Sequence, residues 1–397
     1  MKRKVIWLLV SILVVAGLLI GNFGCAAPAP APGAPAPVAP KEVIRLKFAD
    51  WDPAVSVFCR AYREPWCKLI ERETGGRVVI DVYGSETLVK ANDLYDALLT
   101  GIADICLVGP TRTPGRFPLL EISHLPFIFR SSLTCGLAMW EAYQTGLFQK
   151  EMAEVKLLSF RPNNVYNLVH RTKYIKTLED WKGQKCDATG WVETEMVKLL
   201  GATPLTMSPA ETYDALAKGM LDMRKLEWEG QFIWRTYEVS KYRTDKADMM
   251  IGASTNYAMS RDTYNSLPKD IQAVFDKYSG VWLTELTGAN MDRENYWRRQ
   301  MIIEHDKKVG NPPFYMLPEE ERNRWIETLT PLYDTYINKL EAKGLPARAC
   351  FEGLKKLAAK YEEMYPPLGD AHIAKMKEYG YEAVYPGHPD GWFWPFD

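Results

Sequence analysis

From residue 43 to 49 apolar and polar side chains alternate, the period of two that lays one face of a strand against a core. Asp52-Pro53 then opens a helical stretch carrying Val57, Phe58, Trp66, Leu69 and Ile70, interrupted near Pro65 and stopped by Gly75-Gly76. Residues 77–83 read as a second strand, 92–100 as a helix presenting Leu94, Tyr95, Leu98 and Leu99, and 103–108 as a short apolar strand. Strands alternating with helices predict an α/β fold with a parallel-rich sheet covered on both faces. Further on, 257–260 is strand-like, and Leu267-Pro268-Lys269-Asp270 starts a helical stretch to about Lys308 with Gly280 and Gly288 as candidate breaks. Residues 319–343 and 349–364 follow as amphipathic helices.

The pattern echoes itself. Asp96-Ala97-Leu98-Leu99-Thr100-Gly101-Ile102-Ala103-Asp104 leads into the third strand, and Asp214-Ala215-Leu216-Ala217-Lys218-Gly219-Met220-Leu221-Asp222 repeats Asp-Ala-Leu-x-x-Gly-x-x-Asp. Each unit is a helix, a glycine free to take the left-handed C-cap, and an aspartate entering a strand. Ser208-Pro209-Ala210-Glu211 marks the start of the second helix as a capping box with proline at the first helical position. Two similar α/β halves side by side leave a cleft, and ligands of open α/β sheets bind beyond the carboxyl ends of the strands. That rule selects Trp51 and Asp52 after the first strand, Pro110, Thr111 and Arg112 after the third, Glu227 and Trp228 after the second unit, and Asn256 and Tyr257 where the chain crosses between halves.

The first 25 residues stand apart. Lys2, Arg3 and Lys4 precede an apolar run from 5 to 23 and then Gly24-Cys25, which reads as an export signal ending at a lipid-modified Cys25 or as an uncleaved anchor. Residues 26–41, rich in Pro and Ala, predict an extended spacer. Both readings put the remainder outside the cytoplasm, tethered to a membrane. Six further cysteines form no Cys-x-x-Cys pair or Cys/His cluster, and Cys59 and Cys67, if on one helix, are too far apart to bond, so buried free thiols are expected.

A net charge of −1 over 397 residues argues against a nucleic-acid partner. The 13 Trp supply core and, in a cleft, stacking walls. Enzyme signatures are missing: no Gly-x-Ser-x-Gly, His-Glu-x-x-His, phosphate-binding loop or dinucleotide fingerprint, and the five histidines are scattered. No catalytic residue, metal or cofactor is therefore assigned. The tail 385–396 is aromatic and turn-rich, and packing onto the fold is its expected role.

Several segments resemble the substrate-binding, DctP-like subunit of tripartite ATP-independent periplasmic (TRAP) transporters. They are the 96–104 unit; Pro114-Gly115-Arg116-Phe117-Pro118-Leu119 with Leu125-Pro126-Phe127; Lys176-Thr177-Leu178-Glu179-Asp180-Trp181-Lys182-Gly183-x-Lys185; Leu200-Gly201-Ala202-Thr203-Pro204; and Ser266-Leu267-Pro268-Lys269-Asp270-Ile271-Gln272. They occur in the family's order over 43–305. The resemblance implies a two-lobed, type II periplasmic-binding-protein-like fold with an interlobe cleft and long C-terminal helices. Lobe I is expected over 42–165 plus 256–300, and lobe II with the helical extension over 166–255 plus 301–397. It further implies capture of a small organic solute, a carboxylate in the family, and delivery to the membrane permease subunits. A ligand-sensing domain of the same fold and a cleft enzyme are the alternatives.

One departure bears on the solute. Where the family's Lys-Gly-x-Lys-x segment usually ends in an arginine that clamps the substrate carboxylate, this chain has Asp187. Three readings stay open: Asp187 and nearby Trp191 engage a neutral or cationic solute; Arg112, Arg116 or Arg224 takes over the clamp and pairs with Asp187; or Asp187 is a solvated loop residue.

Overall fold

The computed structural model describes residues 43–365 apart from Ala54, Val55, Val57, Phe58 and residues 250–253. The export segment, the Pro/Ala spacer, Cys25 and the aromatic tail lie outside the described residues. Eleven strands among the described residues form two sheets: β1 (Ile44–Ala49), β2 (Val78–Tyr83), β3 (Ile105–Val108), β4 (Val155–Pro162), β5 (Asn167–His170), β6 (Lys185–Asp187), β7 (Thr203–Leu205), β8 (Met223–Leu226), β9 (Tyr242–Asp245), β10 (Ser254–Ser260) and β11 (Tyr315–Met316). The first sheet runs β2-β1-β3-β10-β4 and the second β11-β9-β5-β8-β6-β7.

Without β11 and taken from the other edge, the second sheet is β7-β6-β8-β5-β9, the order of the first. In each, a parallel trio is followed by two strands that alternate in direction: β10 runs against β3 and β4, and β5 runs against β8 and β9. The chain changes sheets between β4 and β5, again between β9 and β10, and a third time between β10 and β11. This is the two-lobed α/β architecture expected, and the sequence echo is its signature.

The echo has a physical content. Asp104 Oδ2 accepts from the backbone N–H of Lys47 at 2.8 Å while the Asp104 N–H donates to the Lys47 carbonyl at 3.0 Å. Asp222 does the same with Lys185, at 2.9 Å both ways. Each aspartate thus staples the incoming strand, β3 or β8, to the neighbouring parallel strand, β1 or β6. The glycine before it makes the turn: Gly101 has φ 72° and Gly219 φ 77°, a region L side chains avoid.

Helix α1 (Glu64–Glu73) follows a π-helical turn over Cys59–Arg63, and Pro65 sits in its first turn, where no backbone N–H is required. The expected kink is thus the helix start. Leu94–Leu99 forms α2, and α3 (Ser132–Gln144) is buried along most of its length. The second lobe supplies α4 (Gly190–Leu199), α5 (Thr212–Lys218), α6 (Trp228–Ile233) and α7 (Thr236–Val239). The capping box at Ser208 forms as the sequence predicts, opening the turn Pro209–Glu211 before α5.

After α8 (Arg261–Ser266) and α9 (Lys269–Lys277), α10 (Val281–Val309) is one continuous helix. Gly280 breaks the helical stretch before it, but Gly288 does not. A Cβ at 288 would lie 2.7 Å from Leu133 Cα, so this glycine serves close crossing of α10 over α3. The lobe boundary expected at residue 300 therefore falls inside a helix that serves both sheets. Its first half caps α3, with Asp292 accepting from the N–H groups of Ser132 (2.7 Å) and Leu133 (3.1 Å). Its second half reaches the other lobe, where Asn295 accepts from Trp228 N–H and Arg299 Nε donates to Asp245 at 2.7 Å.

The C-terminal helices divide in the same way. On α11 (Glu319–Leu329), Trp325 meets Trp181 edge-on, centroids 5.7 Å apart, in the second lobe. From α12 (Pro331–Glu341), Tyr336 donates to the Pro118 carbonyl while its ring stacks on Trp191. On α13 (Ala347–Met364), Lys360 Nζ sits 2.6 Å from Glu141 of α3. The extension is thus shared, and its last helix lies on the first lobe rather than the second. The six described cysteines are free and buried.

Replacing Asp104 or Asp222 by Ala removes a charged acceptor from a backbone N–H and is expected to cost about 1–2 kcal/mol each. Because the staples belong to different sheets, the double variant should show the sum. Urea unfolding of the three variants measures this, and a strongly sub-additive double variant would contradict the equivalence of the two junctions.

Candidate functional site

The carboxyl ends of β1 and β3 in one lobe face those of β6 and β8 in the other, and a cavity lies between them. Its free volume is about 80 Å³, several times the ~10–15 Å³ one water takes on the same measure. Trp51, Asp52, Thr111 and Arg112 line it from the first lobe, as do Arg161 at the end of β4 and Thr255 at the start of β10. Asp187, Thr189, Glu193, Arg224, Lys225 and Glu227 line it from the second, with Tyr166 and Trp234 adding aromatic wall.

Six of the eleven residues put forward for the cleft therefore come together: Trp51, Asp52, Thr111, Arg112, Asp187 and Glu227. Pro110 and Tyr257, both buried, do not line the cavity, and neither do Trp191, Trp228 and Asn256. The Trp191 ring stacks on Tyr336 at 4.9 Å with Lys339 Nζ 4.1 Å from its centroid, and its backbone N–H donates to Glu121 at 3.1 Å. Trp228 is buried against Phe314, centroids 4.8 Å apart. Asn256 is fully buried in the middle of β10, where it lies opposite Val108 and Phe160, and its neighbour Thr255 reaches the cavity instead. Alternation along a strand makes a one-residue error a change of face.

The cavity wall carries four cations, and three are matched. Arg161 Nη2 donates to Asp52 at 2.7 Å, Nε to Tyr62 Oη at 2.7 Å and Nη1 to Thr255 Oγ1 at 3.1 Å. Arg224 Nε donates to Asp187 at 2.8 Å and its Nη1 to Thr212 Oγ1 at 2.9 Å. Lys225 pairs with Glu193. Burial pushes the Asp52 carboxyl up to about 6 against the pull of Arg161, so the pair remains ionic at neutral pH.

Arg112 is the fourth. It stands on the turn Pro110–Arg112, half-buried, with its guanidinium 5.9 Å from the Trp51 ring centroid. Among the described residues its side chain makes no ion pair or hydrogen bond. Burial pulls its pKa down, Glu193 opposing, yet a guanidinium stays charged. Arg116, weighed beside it as a clamp, points elsewhere: it pairs with Asp96 and Glu154 and lies over Tyr95 at 4.5 Å.

Glu227 completes the wall. It is buried, no cation among the described residues pairs with it, and burial pushes its carboxyl up to about 7. Asp187 is thus neither solvated nor free for a cationic solute, being engaged by Arg224 on the adjacent parallel strand β8. Arg161, Lys225 and Glu193 were not selected from the sequence, and Arg224 was named there only as one of three candidate clamps. Their signal was charge inside strands and helices that must be buried: Arg161 ends the apolar strand Val155–Pro162, and Arg224-Lys225 occupies the middle of Met223–Leu226. Among the described residues no group of His, Cys, Asp and Glu could hold a metal ion.

Two lobes of matching topology around a polar, aromatic-walled cavity at their strand ends define a solute-binding protein. Residues 49–340 match the family described as bacterial extracellular solute-binding protein, family 7 (DctP), and the chain belongs to that family, the extracytoplasmic solute-binding component of TRAP transporters. It is 25% identical over 284 residues to the C4-dicarboxylate-binding periplasmic protein DctP of Rhodobacter capsulatus, covering 70% of this chain and 83% of that one. A TRAP solute-binding protein from Rhodoferax ferrireducens T118, solved with copurified benzoate, superposes with a TM-score of 0.76 at 25% identity, over 81% of this chain and 99% of that one. One from Desulfovibrio salexigens DSM2638 superposes at 0.69 and 26% identity, over 83% and 99%.

Arg161→Ala would leave Asp52 buried without its partner and is expected to cost about 3–5 kcal/mol at pH 8. Arg161 pulls the Asp52 carboxyl down, so without it that carboxyl rises beyond its wild-type value of about 6, and the folded variant takes up the relieving proton at a higher pH than the wild type does. The variant's deficit in urea unfolding should therefore shrink between pH 8 and pH 5.5. A deficit independent of pH would place the cost outside the Asp52 charge.

Proposed function

We propose that the cleft captures a small monocarboxylate with a flat apolar or aromatic body and passes it to the permease subunits without chemical change. One observation carries this reading: Arg112, alone among the cations of the wall, makes no ion pair within the described residues, Glu193 being spent on Lys225, and it stands against Trp51. A buried guanidinium is stabilised by a carboxylate, and Arg is the side chain suited to hold one through two parallel hydrogen bonds. Trp51, Tyr166 and Trp234 offer apolar wall beside that clamp. The benzoate copurified with the Rhodoferax ferrireducens relative supports the choice of acid. Trp51, Asp52, Thr111, Arg112, Asp187 and Glu227 form the contact set, with Arg161, Thr189, Glu193, Arg224, Lys225 and Thr255 added by the cavity. Trp191, Trp228 and Asn256 act at most behind it.

On this reading the purified protein shows a thermal shift and a Trp fluorescence change with benzoate-type acids and a smaller response to amines. Binding to the native state alone stabilises by about 2.7 kcal/mol at a hundredfold excess over Kd. Arg112→Gln should weaken carboxylate binding by roughly 10- to 100-fold, the worth of a charge-assisted hydrogen bond. Calorimetry giving equal affinity for both proteins, or a preference for amines, removes the reading.

We propose further that Cys25 carries the lipid that holds the protein at the membrane, with residues 26–41 as spacer. Radiolabelled palmitate should enter the wild-type chain in bacterial cells and not a Cys25→Ala variant. Label in both, or in neither, counts against the lipid and for the alternative anchor.

A further inference from the structure

The cavity holds a second unmet polar group, on the opposite lobe from Arg112. Glu227 follows β8 and precedes α6, which fixes its backbone: the Glu227 carbonyl accepts from Gln231 N–H at 3.1 Å. Its side chain lines the cavity, and Oε2 is buried with no hydrogen-bond partner among the described residues. Gly230 makes room for the other oxygen, since a Cβ there would lie 2.7 Å from Oε1. No ion pair joins Glu227 to the cations around it. From β8, Arg224 is spent on Asp187 and Thr212; from β4, Arg161 is spent on Asp52, Tyr62 and Thr255. The other titratable groups that act on it or on which it acts are Asp52, Tyr166 and Glu229, none of them a cation. Glu229, on α6 itself, has both carboxylate oxygens buried without partners and its pKa raised well above the usual value by burial, with Glu294 of α10 adding to the rise.

Resting on the carboxylate reading of the cleft, we infer that Glu227 acts in its protonated form as a hydrogen-bond donor to a neutral oxygen of the solute, so that the site selects a monocarboxylate bearing a hydroxyl or keto group. A buried carboxyl without a cation is most stable as the neutral acid, and the neutral acid carries an O–H that nothing in the cavity accepts. The solute's charged end meets Arg112 of one lobe and its neutral oxygen meets Glu227 of the other. A second carboxylate on the solute would face Glu227 with no free cation, which excludes dicarboxylates.

The test is calorimetry on the full exported chain with matched pairs: benzoate and 3-hydroxybenzoate, phenylacetate and mandelate, propionate and lactate, with succinate added. At pH 6 at least one oxygenated member should bind roughly 3- to 10-fold more tightly than its parent, the worth of one hydrogen bond, and succinate should bind weakest. That advantage should fade as pH rises through about 7 towards 9, because the donor is lost on ionisation. Glu227→Gln keeps a donor and cannot ionise, so it should keep the advantage and flatten the pH profile. Glu227→Ala should abolish the advantage, so that the oxygenated acid and its parent bind this variant equally. If carboxylates bind through Arg112 but the oxygenated members gain nothing and the profile is flat, the Glu227 inference is overturned and the reading of the cleft stands. If no carboxylate binds, both fall.

Discussion

Charge taken out of water must be answered by charge, and that constraint organises the cleft. An unpaired buried ion costs several kcal/mol, so a cavity wall bearing four cations is stable only if each has a counter-charge or access to one. Asp52 answers Arg161, Asp187 answers Arg224 and Glu193 answers Lys225. These pairs do more than cancel charge. Arg161 ties the end of β1 to β4, β10 and Tyr62, and Arg224 ties β6 to β8 and α5, so the cavity is walled by residues whose positions are mutually fixed. Pre-set geometry of this kind limits what a guest must order on entering.

The two lobes reach this arrangement by the same local device. Each aspartate staple sets the register of a parallel strand pair, and register decides which residues emerge at the carboxyl end. With Asp104 locked to Lys47, β1 delivers Trp51 and Asp52 to the cleft, and β3 delivers Thr111 and Arg112. With Asp222 locked to Lys185, β6 delivers Asp187, and β8 delivers Leu226 and Glu227. A nine-residue pattern thus carries information about a cavity it does not itself line. The crossing strands and α10 then hold the lobes as one body, α10 by capping a helix in the first lobe and bonding to strand and helix ends in the second.

How much of this was legible follows from the range of each interaction. Helix, glycine turn and staple are local, and their echo exposed the paired lobes. Strand ends are local too, which is why Trp51, Asp52, Thr111, Arg112 and Glu227 could be placed near a cleft from the sequence, whereas Asp187 was singled out by the family resemblance. The pairing of Asp187 with Arg224 joins residues of adjacent strands separated by α4, β7 and α5, and sequence could only offer it as one option among three. Trp191 and Trp228 misled because a tryptophan beside a strand end has two sinks, cleft and core. The helices that claim them, the segment before α11 for Trp228 and α12 for Trp191, lie far along the chain. Asn256 was missed by one position, since a β-strand's phase was not fixed by its short apolar run.

The aspartate at 187 has its meaning in this frame. An arginine there, as the family usually has, would present positive charge from the second lobe. Here the second lobe holds Asp187 and Arg224 as a closed pair, and Glu193 and Lys225 as another, so it offers the solute no net charge apart from Glu227. The first lobe holds Asp52 and Arg161 as a third pair and Arg112 in excess. On the proposed reading the attraction for an anion comes from the first lobe, with the charged end of the guest towards Trp51 and Arg112 and the remainder towards β8. A solute held in the proposed sense needs only one carboxylate, and its far end meets Glu227 beside two closed ion pairs. Because Arg224 answers Asp187, an aspartate at this position adds no unanswered negative charge to the wall and does not by itself make the cleft a site for cations.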